Sequence, residues 1–283
     1  MPFLIKPLRD LQSWTDFLRR QDIPVARATI DAVAKMRERE DDIAPAEIAA
    51  VVQTDPLMTL KVLAFAGQRR SARVVTDSET VMSSLVLMGI SPFFRQFENL
   101  VSYEDVLADV PPALDGLKKV VDRAFDAARF ALGFAVHRGD PDAEVIQEAA
   151  LLHDFAEMLV WCHAPKLCLE IVQRQGADST LRSSVAQREV LNVQFHELQR
   201  ALMLGWRLPE LVSHFTDHRQ TASPRVRNVV LAVNIARHTQ RGWDNAALPD
   251  DYIAIGELLH MSPLRAEGLV RELMGEPSLN EGG

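Results

Sequence analysis

Glu144-Val-Ile-Gln-Glu-Ala-Ala-Leu-Leu-His-Asp-Phe-Ala-Glu-Met-Leu-Val-Trp161 decides how this chain is read. The run has the apolar spacing of a helix and carries an adjacent His153 and Asp154 in its middle. Imidazole and carboxylate are the side chains that hold divalent metals, but a site needs three or more donors to converge. On one helix, neighbours point about 100° apart, so the pair reaches a common ion only where a helix end opens. All eight histidines lie at or after His137. The first half of the chain therefore offers no imidazole.

Working outward, helical patterning continues almost everywhere. Pro45, Pro56, Pro92, Pro165, Pro209, Pro224 and Pro263 each precede a run with a period near 3.6. Proline suits the first helical position, where its missing N–H would find no partner in any case. Asp55, Ser91, Ser223 and Ser262 stand just before four of these prolines as capping residues. Val226, Val229, Val230, Val233 and Ala236 share one face, with Arg225, Arg227 and Asn228 off it. Strand signals are nearly absent, and Val74-Val75 is the best of them. The expectation is an all-α protein of about fourteen helices. The acidic stretch from Tyr103 to Gly116, with Pro111-Pro112, breaks the pattern and reads as a boundary. It separates an N-terminal subdomain (1–105) from a C-terminal one (112–275), in which Leu117 to Val136 reads as one long helix. Residues 276–283 read as a disordered tail.

Composition narrows the function classes. The chain has 283 residues, enough for a large core, with ordinary hydrophobic (47%) and charged (25%) content. A net charge of −8 argues against a general nucleic-acid-binding surface. Cys162 and Cys168 are the only cysteines and do not form a CxxC pair, so they read as reduced, partly buried thiols. The longest uncharged stretch, Thr80 to Phe94, falls short of the roughly 20 apolar residues that span a bilayer. No secretory segment is visible, and the expected location is cytoplasmic. No GxSxG, GxxxxGK[ST] or GxGxxG motif occurs.

The order of elements resembles the HDOD family, the HD-related output domain of bacterial signalling proteins. Asp22-Ile23-Pro24-Val25 is similar to its Leu-Pro element. Thr54-Asp55-Pro56-Leu57 matches an Asp-Pro-x-Leu helix start, and Leu87-Met88-Gly89-Ile90 a Leu-Gly element. Leu151-Leu152-His153-Asp154 matches Leu-Leu-His-Asp, and Trp206-Arg207-Leu208-Pro209 matches Trp-x-Leu-Pro, with His218 downstream. The resemblance runs from Ile23 to His218 and loosely to Met261. It implies an N-terminal helical subdomain packed on one similar to the HD phosphohydrolase core. It also implies a non-enzymatic regulatory module.

In active HD enzymes the His-Asp pair is joined by an upstream histidine and a downstream aspartate. Here the upstream helix carries Asp122, Arg123, Phe125, Asp126 and Arg129 but no histidine, and Asn234 stands at the downstream position. A neutral amide is a poor substitute for a carboxylate. Ala156 replaces the glycine usual two places after the pair, and Phe195 occupies a frequent histidine position beside His196. The bland reading pairs Asp154 with Arg123 or Arg129 and hydrogen-bonds His153 to a neighbour. His214 and His218 stand i, i+4, a spacing that can hold Zn²⁺, although no Glu completes an HExxH arrangement. The expectation is thus a vestigial site (His153, Asp154, His218, Asn234) with no resident metal. If it were metal-bound, His196 and His214 would assist.

Three functions follow from this set. The first is a regulatory module binding a protein partner. The second is a metal-dependent phosphohydrolase acting on a nucleotide or cyclic dinucleotide. The third is a sensor of a small nucleotide ligand at the degenerate site. Gln68-Arg69-Arg70-Ser71-Ala72-Arg73 is a basic cluster able to contact phosphate. Trp206 reads as a core anchor. His163, His238 and His260 sit near helix ends, where imidazolium would complement the dipole.

Overall fold

A computed structural model describes residues 3–69, 80–178, 180–216, 222–240 and 242–276. Among these the protein is all-α: seventeen α-helices, one 3-10 turn at Glu40–Asp42, and no strand beyond an isolated bridge between Val25 and Ser102. The helices are α1 (Leu11–Arg20), α2 (Arg27–Arg37), α3 (Pro45–Val52), α4 (Pro56–Arg69), α5 (Val81–Met88), α6 (Ile90–Gln96), α7 (Tyr103–Val106), α8 (Pro111–Arg138) and α9 (Ala143–Leu151). There follow α10 (Phe155–His163), α11 (Pro165–Ala177), α12 (Ser183–Leu191), α13 (Phe195–Trp206), α14 (Glu210–Phe215), α15 (Pro224–Thr239), α16 (Leu248–Leu259) and α17 (Pro263–Leu273).

Proline opens α3, α4, α8, α11, α15 and α17, as its lost N–H allows. Pro92 is an exception. It lies inside α6, whose start is set by Gly89 at φ +82. Two further corrections follow from the observed elements. The stretch after Tyr103 is helical, and α8 begins at Pro111 instead of Leu117. The count exceeds fourteen because short pieces such as α7 and α14 carry too few residues to display a period. Val74-Val75, most of the basic cluster (Arg70 to Arg73), His218 and residues 277–283 lie outside the described residues.

The chain forms two compact units that are discontinuous in sequence. One comprises residues 1–121 with 154–209, the other 122–153 with 210–283. In the first unit, α13 packs on α1, α4 and α10, while α3, α4 and α5 form a second cluster. Its centre is a buried carboxylate. Asp55 is 1% exposed and accepts four bonds. Oδ1 caps the first turn of α4 through Leu57 N–H (2.9 Å) and Met58 N–H (3.1 Å). Oδ2 receives Ala26 N–H (2.6 Å) and the Thr29 hydroxyl (3.0 Å). At the other end of α4, Gly67 lies under the C-terminus of α13. A Cβ there would stand 2.4 Å from the Arg207 carbonyl oxygen and 2.6 Å from that of Trp206. Trp206 is buried and sits 6.1 Å from the Phe155 ring, the anchor its sequence context implies.

In the second unit, α15 packs against α9, α14 and α16, and α16 against α17. Contact on several sides explains why α15 buries Asn228, Leu231, Ala232 and Ile235 besides Val226, Val229, Val233 and Ala236. The expectation that Asn228 faces away from the core is therefore corrected. It is 1% exposed, and its Nδ2 donates to the Ala131 carbonyl of α8 at 3.1 Å.

Asp55→Ala leaves four buried donors unanswered and should destabilise the protein by about 3 kcal/mol or more, with Asp55→Asn less costly because Oδ1 still accepts. Gly67→Ala forces α4 from α13 and should cost about 1–3 kcal/mol. Urea unfolding of each variant checks both values.

Candidate functional site

The Leu-Leu-His-Asp element is a break between two helices, which corrects the expectation of one continuous helix. Helix α9 ends at Leu151, and α10 begins at Phe155. Leu152 closes α9 with its N–H on the Glu148 carbonyl (2.9 Å), and the His153 N–H reaches Ala150 (3.2 Å). Asp154 is the N-cap position of α10, where its carbonyl accepts the Met158 N–H at 3.2 Å, but its side chain makes no capping bond. Leu151, Leu152, Phe155 and Ala156 are buried around this turn, while His153 and Asp154 are half-buried. The Ala156 methyl, where the family commonly has glycine, is fully enclosed.

Other expected site residues divide as follows. In the second unit, Asn234 is half-buried on α15, and His214 is half-buried on α14 with its ring 5.7 Å from Phe215. Their helices pack on α9, the helix that leads into His153. His196 is exposed on α13 in the first unit. Among the described residues, no three His, Cys, Asp or Glu side chains form a group able to hold a metal ion.

Of the α8 residues, Asp126 has its carboxyl raised by burial. Arg129 opposes that shift and the Asp122 charge adds to it. The Arg129 guanidinium reaches the Leu273 carbonyl at 3.4 Å. Both cysteines are buried free thiols, and burial pushes their pKa values up, which makes them poor nucleophiles. An open depression of about 620 Å³ is lined by Lys166, Leu169, Glu170, Gln173, Arg174 and Ala177. All six lie on α11, and none is among the candidates above.

Two polar couplings in the second unit had no sequence signal, because their partners are distant in the chain. His238 Nδ1 meets Asp251 Oδ2 at 2.6 Å, tying α15 to α16. Arg225 bridges Asp140 (2.9 Å) and Asp142 (2.8 Å), fixing the start of α15 to the turn before α9. Burial raises the Asp251 carboxyl, while the His238 bond pulls it down.

His163, the last residue of α10, departs from the dipole expectation. Burial lowers its pKa to about 4, outweighing the hydrogen bond with the Asp22 carbonyl (3.0 Å) that favours the charged ring.

With this geometry in view, comparison with known proteins places the fold. The sequence matches the HDOD domain family over residues 23–222. The chain belongs to the HDOD family. The match begins at the residue where the sequence resemblance begins and ends four residues past His218. No curated protein matches significantly. Among solved structures, this HDOD chain resembles the MmoQ response regulator of Methylococcus capsulatus str. Bath, at 17% identity and a TM-score of 0.67, with 91% of this chain and 99% of that one covered. It also resembles a virulence factor of Campylobacter jejuni subsp. jejuni, at 16% identity and a TM-score of 0.65, covering 97% and 100%. The TM-scores establish a shared fold, and no more. No described helix of this HDOD protein is long and apolar enough to cross a membrane.

A buried base of lowered pKa binds its proton more weakly in the folded state than in the unfolded chain. Between pH 4 and about 6.5 the unfolded state holds the extra proton, so stability falls as pH drops through that window and is full above it. The His163 share should be about 1–3 kcal/mol. His163→Gln should flatten the plot of unfolding free energy against pH there, as measured by denaturant titration at each pH.

Proposed function

We propose that this HDOD chain is a regulatory module of bacterial signal transduction that acts by binding a protein partner, with no catalytic metal. The residues that stand where the resemblance to HD enzymes expects the remaining ligands support it most. Asn234 supplies an amide where a carboxylate would be needed, and α8 carries no histidine before His137. A hard or borderline cation gains little from a neutral amide oxygen, and two donors bind a divalent ion weakly. The packing of the turn points the same way. Leu151, Leu152, Phe155 and Ala156, which flank the pair in sequence, are buried and apolar, which gives His153 and Asp154 a place at a helix junction whether or not an ion binds.

Family membership supports the signalling role, and the absence of a nucleophile elbow or a phosphate-cradling loop fits a binding function. In this reading His153, Asp154 and Asn234 belong to the architecture of a phosphohydrolase-like scaffold and carry out no step of hydrolysis.

Elemental analysis is the direct test. The purified protein should carry Mn, Fe and Zn well below one equivalent, before and after incubation with each ion. It should also leave nucleoside phosphates and cyclic dinucleotides intact. Asp154→Ala should leave both readings unchanged. One tightly held equivalent of metal that Asp154→Ala removes would overturn the proposal. A nucleotide that raises the melting temperature would move it to small-molecule sensing, because selective ligand binding stabilises the folded state by mass action.

A further inference from the structure

Several arginines in this acidic chain are neutralised. Arg37, Arg39, Arg174, Arg188, Arg225 and Arg227 each meet a carboxylate. Four exposed arginines on α1 and at the solvent side of α13 do not. Arg19 and Arg20 end α1, Arg200 lies on α13 and Arg207 caps it, and none of them has a carboxylate partner among the described residues. All four are exposed.

They share one surface. Helix α1 packs along α13. The Arg19 side chain crosses Gly205, within 2.8 Å of where a Cβ would stand, so α13 has glycine where α1 presses closest. Arg200 and Arg207 follow His196 at i, i+4 and i, i+11, and all three lie on the solvent side of α13. In the middle of that stripe, at i+8, stands Leu204, 77% exposed.

Self-neutralisation does not account for the surface. The C-termini of α1, α4 and α13 meet here, since Gly67 lies under the Trp206 and Arg207 carbonyls. Three helix ends supply about −1.5 of partial charge, against four full positive charges. Three of the neighbouring carboxylates are already engaged. Asp16 accepts from Gln12, Asp22 from Lys61, and Glu197 from Arg188.

We propose that the Arg200–Leu204–Arg207 face of α13, with Arg19 and Arg20 of α1, docks an acidic amphipathic peptide segment of a protein partner. Charge complementarity selects glutamate or aspartate side chains, and Leu204 supplies the apolar contact at the centre that gives a docked helix its anchor. Exposed leucine at the centre of the stripe favours a protein over a bare polyphosphate chain. This surface rests on the partner-binding reading above and adds where the partner sits and what chemistry it carries.

The test is fluorescence anisotropy with a labelled helical peptide of about four turns, glutamate-rich with leucine at every fourth position. Wild-type protein should bind it, and binding should weaken as salt rises. Arg200→Glu/Arg207→Glu should bind about tenfold more weakly or worse. Leu204→Ser should weaken binding at unchanged salt dependence. Arg182→Glu, an exposed arginine without a partner elsewhere, should bind as wild type. Arg19→Glu/Arg20→Glu repeats the charge test on α1 should the α13 pair fail to fold. Absence of peptide binding, or equal binding by all variants, would overturn the proposal. Tighter binding of single-stranded DNA of matched charge would overturn it in favour of a nucleic-acid surface. Metal content is independent of these outcomes. A metal-loaded protein that binds the peptide refutes only the non-catalytic reading, and a metal-free protein that ignores it refutes only this surface.

Discussion

A single buried carboxylate organises the first unit. Asp55 has lost its water, which penalises charge and raises its pKa, yet it accepts two amides of the α4 first turn, one amide before α2 and one hydroxyl on α2. Donors of that number leave no alternative partner for either oxygen, so the position of each segment is set by the others. The consequences run along the chain. Val25, next to the Ala26 amide, exchanges backbone bonds with Val101 and Tyr103, which fixes the approach to α7. Helix α4, aimed by its cap, brings Gly67 beneath the end of α13. That end presents Trp206 to Phe155, the first residue of α10 and the one after the His-Asp pair. The Asp-Pro, Trp-x-Leu-Pro and His-Asp elements, far apart in sequence, are thus links of one mechanical path.

Much of this was legible beforehand for a physical reason. Proline and its preceding cap act locally, so the starts of α3, α4, α11, α15 and α17 could be read from a few residues each. The all-α class followed from periodicity, which is also local. Contacts between distant residues left no such trace. Nothing in the spacing of Asp55 announces Ala26 and Thr29, and Asn228 looked like a solvent-facing residue until the packing of α15 was known. The His-Asp run read as one helix because its apolar period continues through the break. Periodicity registers which side chains are buried and is blind to a turn that buries the same ones.

Histidine placement shows how competing local terms resolve. At the end of α10, the helix dipole favours a charged imidazole, worth at most about 2 kcal/mol in partly buried geometry. His163 is nevertheless driven toward neutrality, because its ring is packed beside Phe17 and loses solvent. The dipole was visible in the sequence, but the desolvation that beats it was not. His238 has the opposite surroundings, with Asp251 held against it in a position that only the α15–α16 contact creates.

A His-Asp pair at a helix junction has a structural role open to it that does not require coordination. A helix junction needs buried apolar residues on both flanks and polar groups at the turn itself, where backbone amides and carbonyls lose their helical partners. Leu151 and Leu152 before the pair, with Phe155 and Ala156 after it, meet the first need, and the polar His153 and Asp154 stand half-buried at the turn itself. Coordination makes a further demand: several anionic or imidazole donors must stay converged although their charges repel until an ion arrives. Under the proposed reading, an amide at 234 would relieve that repulsion and forfeit the ion in the same step. Under the same reading the turn is retained while the donor set is thinned, and the proposed function falls to the surface, where the arginines of α1 and α13 have no carboxylate partner among the described residues.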